Sequence, residues 1–138
     1  MALPSRLDLS QRPTPLEFFT PGLYLKRDDL TGVATSGNKI RKLEYLLADA
    51  LAQGHTRVVT CGGVNSNHAR ATAIACRRLG LDPYLWLRGE DRNPPSGNLL
   101  LDKFVQAKLR FVTHDQWKDR RSALPMWAEE LGGAYVVV

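Results

Sequence analysis

Short β-branched or apolar runs alternate along the chain with segments whose apolar residues recur at three- and four-residue spacing. Leu43, Leu46, Leu47, Ala50 and Leu51 share one helical face and predict a helix from Lys39 to about Gln53, with Gly54 as its C-terminal cap. Arg57-Val58-Val59-Thr60-Cys61 reads as a buried parallel strand broken by Gly62-Gly63. An alanine-rich helix from His68 to Leu79 stops at Gly80, and Tyr84–Leu87 is the next strand. A third helix, Asn98 to about Lys108, carries Leu100, Leu101, Phe104 and Val105, and Leu109–Val112 is strand-like. Asp115 to Leu131 is helical in pattern, with Pro125 expected to kink or divide it. Ala134–Val138 then opens one more strand.

Upstream, residues 1 to 22 read as an irregular, proline-rich lead-in, followed by a short strand at Leu23–Lys26. Residues 30 to 38, with Gly32, Ser36 and Gly37, predict a mobile loop. Strands alternating with helices argue for βαβ units. The expected fold is therefore α/β, a parallel sheet with helices on both faces.

Composition narrows the function classes. The 138 residues are 43% hydrophobic and 24% charged, ordinary for a globular domain, and the net charge of +5 suits an anionic ligand such as a phosphate or carboxylate. Arg77-Arg78 and Arg120-Arg121 lack interleaved aromatics in the sequence, so no nucleic-acid partner is expected. Cys61 and Cys76 form no C-x-x-C pair and read as small buried residues of a reducing, cytoplasmic protein. His55, His68 and His114 lack metal-ligand spacing, so no metal is expected. Met1 to Phe19 is broken by charges, Pro4, Pro13 and Pro15, unlike a signal peptide, and no apolar run suggests a membrane partner. The apolar strand at the end has no polar tail, which leads us to expect one part of a larger fold.

Two stretches carry candidate chemistry. In the first, Asn38 or Ser36 is expected to cap the helix that begins at Lys39. A lysine fixed there beside a glycine turn can hold its amine rigid and partly desolvated in a cleft, which suits a Schiff-base lysine; taken alone, Lys39 reads first as a solvated surface cation. In the second, Gly62-Gly63-Val64-Asn65-Ser66-Asn67-His68 joins a buried strand to a helix. Ligands of open α/β folds collect beyond the carboxyl ends of strands, and a helix N-terminus favours anions. A plain turn capped by Ser66 or Asn67 accounts for the same residues. Neither G-x-G-x-x-G nor G-x-x-x-x-G-K-[ST] is present, and Ser66 lacks the G-x-S-x-G setting of a hydrolase nucleophile. Ser36-Gly37-Asn38 recurs as Ser96-Gly97-Asn98, and both copies read as capping turns.

Lys26-Arg27-Asp28-Asp29-Leu30, Ser36-Gly37-Asn38-Lys39-Ile40-Arg41-Lys42-Leu43-Glu44 and Gly62-Gly63-Val64-Asn65-Ser66-Asn67-His68-Ala69-Arg70 occur in that order. Over roughly residues 23 to 138 the chain resembles the 1-aminocyclopropane-1-carboxylate deaminase / D-cysteine desulfhydrase family of pyridoxal-phosphate enzymes, with the tryptophan synthase β-like fold. The resemblance implies that pyridoxal 5'-phosphate is the cofactor and Lys39 its Schiff-base lysine, with Ser66 as a second catalytic residue. Lys39, Asn38 and Asn67 would bind the cofactor, and Asn65, Ser66, Asn67 and His68 a small amino-acid substrate, giving a 2-oxo acid and ammonia. Asn65 stands where many relatives carry glutamine, and His68 leans toward the desulfhydrase-like members. Arg41 and Lys42 are expected to place positive charge beside Lys39 and favour its neutral amine. Family members are about twice this length, and their phosphate cradle and ring-nitrogen partner lie in their second half. This implies residues 1–54 as a segment of the cofactor domain, 55–138 as the small α/β domain, a homodimer at full length, and a weakly active or inactive piece as it stands. The alternative is a non-catalytic α/β interaction module completed by a partner chain.

Overall fold

In the computed structural model, which describes residues 5–138, the chain opens with an antiparallel hairpin. Its strands are β1 (Leu16–Thr20) and β2 (Leu23–Lys26). β1 lies inside the stretch expected to be irregular, of which residues 1–4 fall outside the described residues. The prolines before it and the register shift between Phe18 and Thr20 mask its alternation, and every residue of both strands is exposed. A 3-10 turn (Asp28–Leu30) leads to α1 (Lys39–Ala52). Then follow β3 (Arg57–Gly63), α2 (Asn67–Arg78), β4 (Asp82–Arg88), α3 (Gly97–Phe104) and β5 (Lys108–Val112). The helices α4 (His114–Lys118) and α5 (Arg120–Glu130) precede β6 (Tyr135–Val137).

The four-stranded sheet has the order β5-β4-β3-β6 with every pair parallel, as expected for the α/β reading. Its strand residues point alternately to two cores. On one face Val58 and Val137 meet Leu43 and Leu47 of α1 and Ala71 and Ala75 of α2, while Leu85 and Leu87 meet Ala69 and Ala73 of α2 and Leu99 of α3. On the other, Val59, Trp86 and Val112 meet Leu124 and Ala128 of α5. Alanines on α2 let it lie close against β4 and both flanking helices.

Gly54 ends α1 as the pattern predicts. It adopts φ +76°, its N–H donates to the Leu51 carbonyl, and His55 N–H donates to that of Ala50. The helical stretch after His114 divides at Asp119 rather than Pro125. The Asp119 carbonyl accepts from the backbone of Ser122 and Ala123 and restarts the helix. Pro125 sits inside α5 on its exposed side, where water can satisfy the carbonyl one turn back.

The loop expected to be mobile is cross-linked. Thr31 is buried, its hydroxyl bonds the Asp28 and Gly37 carbonyls, and Gly37 N–H donates to Asp28 O. The lead-in is also tied to α1 by Glu44, which is 1% exposed. Glu44 Oε1 accepts from Leu9 N (3.1 Å), Ser10 N (2.9 Å) and Ser10 Oγ (2.7 Å), with Arg12 Nε at 3.7 Å. Replacing it by alanine would strand these buried donors and leave the buried Arg12 Nε without its nearest carboxylate. We therefore expect Glu44→Ala to lower the unfolding free energy by about 3 kcal/mol, measured by urea denaturation; a loss below about 1 kcal/mol would contradict the role given to this carboxylate.

Candidate functional site

Three strands of the sheet run outward in sequence order, β3 to β4 to β5, and the chain then returns to lay β6 on the far side of β3. Adjacent strands at such a reversal send their following segments to opposite faces and leave a crevice at their carboxyl ends. At the carboxyl ends of β3 and β6 stand Gly62–His68 and Val137-Val138.

Ser66 forms the N-cap of α2. Its backbone is extended (φ −65°, ψ 122°) and its Oγ accepts from Ala69 N at 3.2 Å. Gly62 makes this geometry possible, since a Cβ there would lie 2.4 Å from Ser66 Cβ. With the cap made through an oxygen lone pair, the Ser66 hydroxyl proton is free to donate elsewhere. Asn65 and Asn67 are exposed. Asn98 Nδ2 donates to Asn65 O (2.7 Å) and Asn67 Oδ1 (3.0 Å), which orients the Asn67 amide nitrogen as a remaining donor.

The lysine turn differs from expectation in two respects. Asn38 occupies the N-cap position of α1 without a side-chain cap bond, because its backbone is already helical (φ −67°, ψ −16°); the Ser36 carbonyl instead accepts from Arg70 Nη2 at 3.2 Å. Lys39 is exposed rather than partly desolvated. Of the two cations expected beside it, Lys42 lies within reach of the Lys39 charge and Arg41 is engaged elsewhere. Lys42 Nζ donates to Val138 O at 3.0 Å, and burial, then the charge of Lys39, lowers its own pKa. Arg41 points away, holding Asp28 through Nε (2.8 Å) and Nη2 (2.7 Å), so that Asp28 titrates below the usual carboxylate range.

His68 completes the group. Thr60 Oγ1 donates to Val137 O (2.6 Å) and therefore accepts from His68 Nε2 (3.1 Å). That assigns the proton to Nε2 and leaves Nδ1, buried and without a partner among the described residues, as an acceptor. Burial, then the charges of Lys42 and Lys39, pushes the imidazole down to about 4. Those two charges connect the lysine turn electrostatically to the Asn-Ser-Asn corner. Thr60, Arg70 and Asn98 complete the site and were not singled out from the sequence. The recurrence of Ser-Gly-Asn was the available signal for Asn98, but Ser96 makes no side-chain cap and Asn98 faces the corner instead.

The model of the family "pyridoxal-phosphate dependent enzyme" matches residues 7–138. The chain belongs to this family. It is 50% identical over 120 residues to a Thermotoga maritima protein provisionally assigned as a 1-aminocyclopropane-1-carboxylate deaminase, covering 82% of this chain and 38% of the relative. It is 41% identical over 128 residues to the mitochondrial bifunctional D-cysteine desulfhydrase/1-aminocyclopropane-1-carboxylate deaminase of Arabidopsis thaliana, covering 83% of this chain and 32% of that protein. The crystal structure of an ACC deaminase homologue superposes with a TM-score of 0.85 at 41% identity, over 97% of this chain and 44% of its own. An O-acetylserine dependent cystathionine β-synthase from Helicobacter pylori (TM-score 0.71, 16% identity, over 99% of this chain and 46% of its own) shares the fold. The chain thus spans less than half the length of these relatives, and its fold is the tryptophan synthase β-like fold of pyridoxal-phosphate enzymes.

A histidine whose folded pKa lies below its ordinary 6.5 stabilises the fold while neutral. His68 should therefore contribute fully above pH 6.5 and lose that contribution as the pH falls toward about 4. Urea midpoints between those limits should fall in the unmodified chain and fall less in His68→Gln; parallel profiles would contradict the burial argument. Removing the α2 cap in Ser66→Ala should cost about 1 kcal/mol in the same assay at neutral pH, and no measurable change would contradict the cap.

Proposed function

We propose that this chain carries the amine-bearing and Asn-Ser-Asn walls of a pyridoxal-phosphate lyase or deaminase acting on a small amino acid and releasing a 2-oxo acid and ammonia. The observation that carries the reading is that the lysine turn stands beside the start of α2, where Arg70 Nη2 donates to Ser36 O at 3.2 Å and the charge of Lys39 acts on His68. Substrates of the D-cysteine or 1-aminocyclopropane-1-carboxylate kind follow from the relatives' names.

The donor set fits the cofactor. A primary amine at the start of α1, a free hydroxyl proton on Ser66 and an oriented Asn67 amide suit a ligand with a carbonyl carbon, a ring hydroxyl and negative charge. Lys39 would hold it covalently, with Asn38 and Asn67 beside it. When bound, the cofactor supplies an electron sink for charge developing on the substrate carbon. Asn65, Ser66, Asn67 and His68 would receive the substrate. His68, neutral with Nδ1 unpaired, can accept one hydrogen bond without bringing positive charge. Ser66 can donate its proton while its lone pair keeps the helix capped. Lys39, at the start of α1, can hold or release a proton near the substrate carbon. Residues 1–54 would supply the amine to a cofactor domain, and 55–138 the substrate corner as a small domain.

Borohydride reduction after mixing the chain with pyridoxal phosphate, followed by peptide mapping, tests the assignment. The label is expected on Lys39, with the accompanying visible absorbance lost in Lys39→Ala. A label concentrated on Lys42 or spread over the surface lysines would overturn it.

A further inference from the structure

Arg70 lies on α2 one turn beyond the Ser66 cap, with its guanidinium between the two walls of the site. Nη2 donates to Ser36 O at 3.2 Å and Nη1 to Asn98 Oδ1 at 3.1 Å. Asn98 passes the connection on to Asn65 O and Asn67 Oδ1. A continuous run of hydrogen bonds thus joins the turn three residues before Lys39 to the Asn-Ser-Asn corner. The other hydrogen bonds of residues 31–38 run to the hairpin side, to Gln11 and Asp28, or stay within the loop. Among the described residues, Arg70 is the side chain that ties this loop to α2 and α3.

What lies behind Arg70 strengthens the case. Asp102 stands on α3 one turn beyond Asn98, fully buried, and among the described residues neither of its oxygens has a hydrogen-bond partner. The charged group acting on it is Arg70, whose Nε is also buried and unpaired. The guanidinium therefore directs its two terminal nitrogens forward, to Ser36 and Asn98, although a carboxyl sits on the helix face behind it. A planar five-donor fork can span two acceptors in this way, whereas a lysine ammonium on a flexible stem cannot hold both in fixed relation.

We propose that Arg70 is the positioning residue of this site, setting where the Lys39 amine stands relative to Asn65, Ser66 and Asn67. Its role goes through Ser36 and Asn98, with no contact to a reacting atom. The consequence for the cofactor rests on the reading of Lys39 given above; the consequence for the loop does not.

Two measurements on the 138-residue chain test it. In Arg70→Lys, which keeps the charge, and in Asn98→Ala, which breaks the relay on the surface side, the backbone amide of Gly37, bonded to Asp28 O and Thr31 Oγ1, should exchange at least about fivefold faster than any change in global stability explains. In the same variants, the ratio of borohydride-trapped pyridoxal phosphate on Lys39 to that on Lys42 should fall about tenfold, a loss of order typical for a displaced reactive group. A purely structural role would lower stability and leave that ratio unchanged. Unaltered amide exchange in both variants overturns the proposal whatever the labelling shows. Faster exchange with no preference for Lys39 even in the unmodified chain would sustain the tether and overturn the reading of Lys39.

Discussion

The fold depends on β3 being paired on both edges by parallel strands that the chain reaches in opposite directions. Parallel pairing requires each connection to cross a face, so α2 and α3 cover one side, and α4 and α5 the other. Because β4 and β6 flank β3, nothing in the sheet blocks the space beyond their carboxyl ends. The site arises there without special local construction. The glycines closing β3 and the cap opening α2 are already at the place where the backbone must leave the sheet.

The helical period explains how one short motif can serve three surfaces. In Lys39-Ile40-Arg41-Lys42-Leu43-Glu44, residues three apart share a face. Ile40 and Leu43 enter the core. Lys39 and Lys42 act together on His68 at the crevice. Arg41 and Glu44 bind the hairpin side and the lead-in through Asp28, Leu9 and Ser10. Opposite charge is thereby kept off the crevice, since Asp28 and Glu44 are occupied on the far side of the helix. The remaining positive balance favours the anionic ligand that the chain's net charge had suggested.

Elements resting on a single periodicity were legible in the sequence. The alternation of β-branched runs with 3.6-residue patterns located α1, α2 and the four parallel strands within a residue or two. Features set by partners distant in the chain were not. β1 is a strand because β2 lies beside it, not because its own residues alternate toward a core. Pro125 suggested a break, yet whether a helix survives a proline depends on which side faces water. The Asn-Ser-Asn corner was legible from glycine placement and capping chemistry, but Arg70 and Asn98 were not. Nothing local distinguishes an arginine on an alanine-rich helix from a solvated one, and only the packing of α3 against α2 brings Asn98 to Asn65.

The exposure of Lys39, Asn65 and Asn67 bears on how such a site could work. Carbanion chemistry needs its reacting groups fixed and water kept out, and these are separable requirements. Here the fixing comes from hydrogen bonds behind the candidate residues: the cap at Ser66, the Asn98 relay and the Arg70 fork. Burial does not supply it. An arrangement of this kind presents an ordered wall that keeps its geometry while open, and exclusion of water must then come from a surface facing it. Relatives more than twice as long have further chain with which to provide that surface. The residues of the present chain thus define position, and the desolvation that the proposed role of Lys39 requires belongs to whatever closes over it.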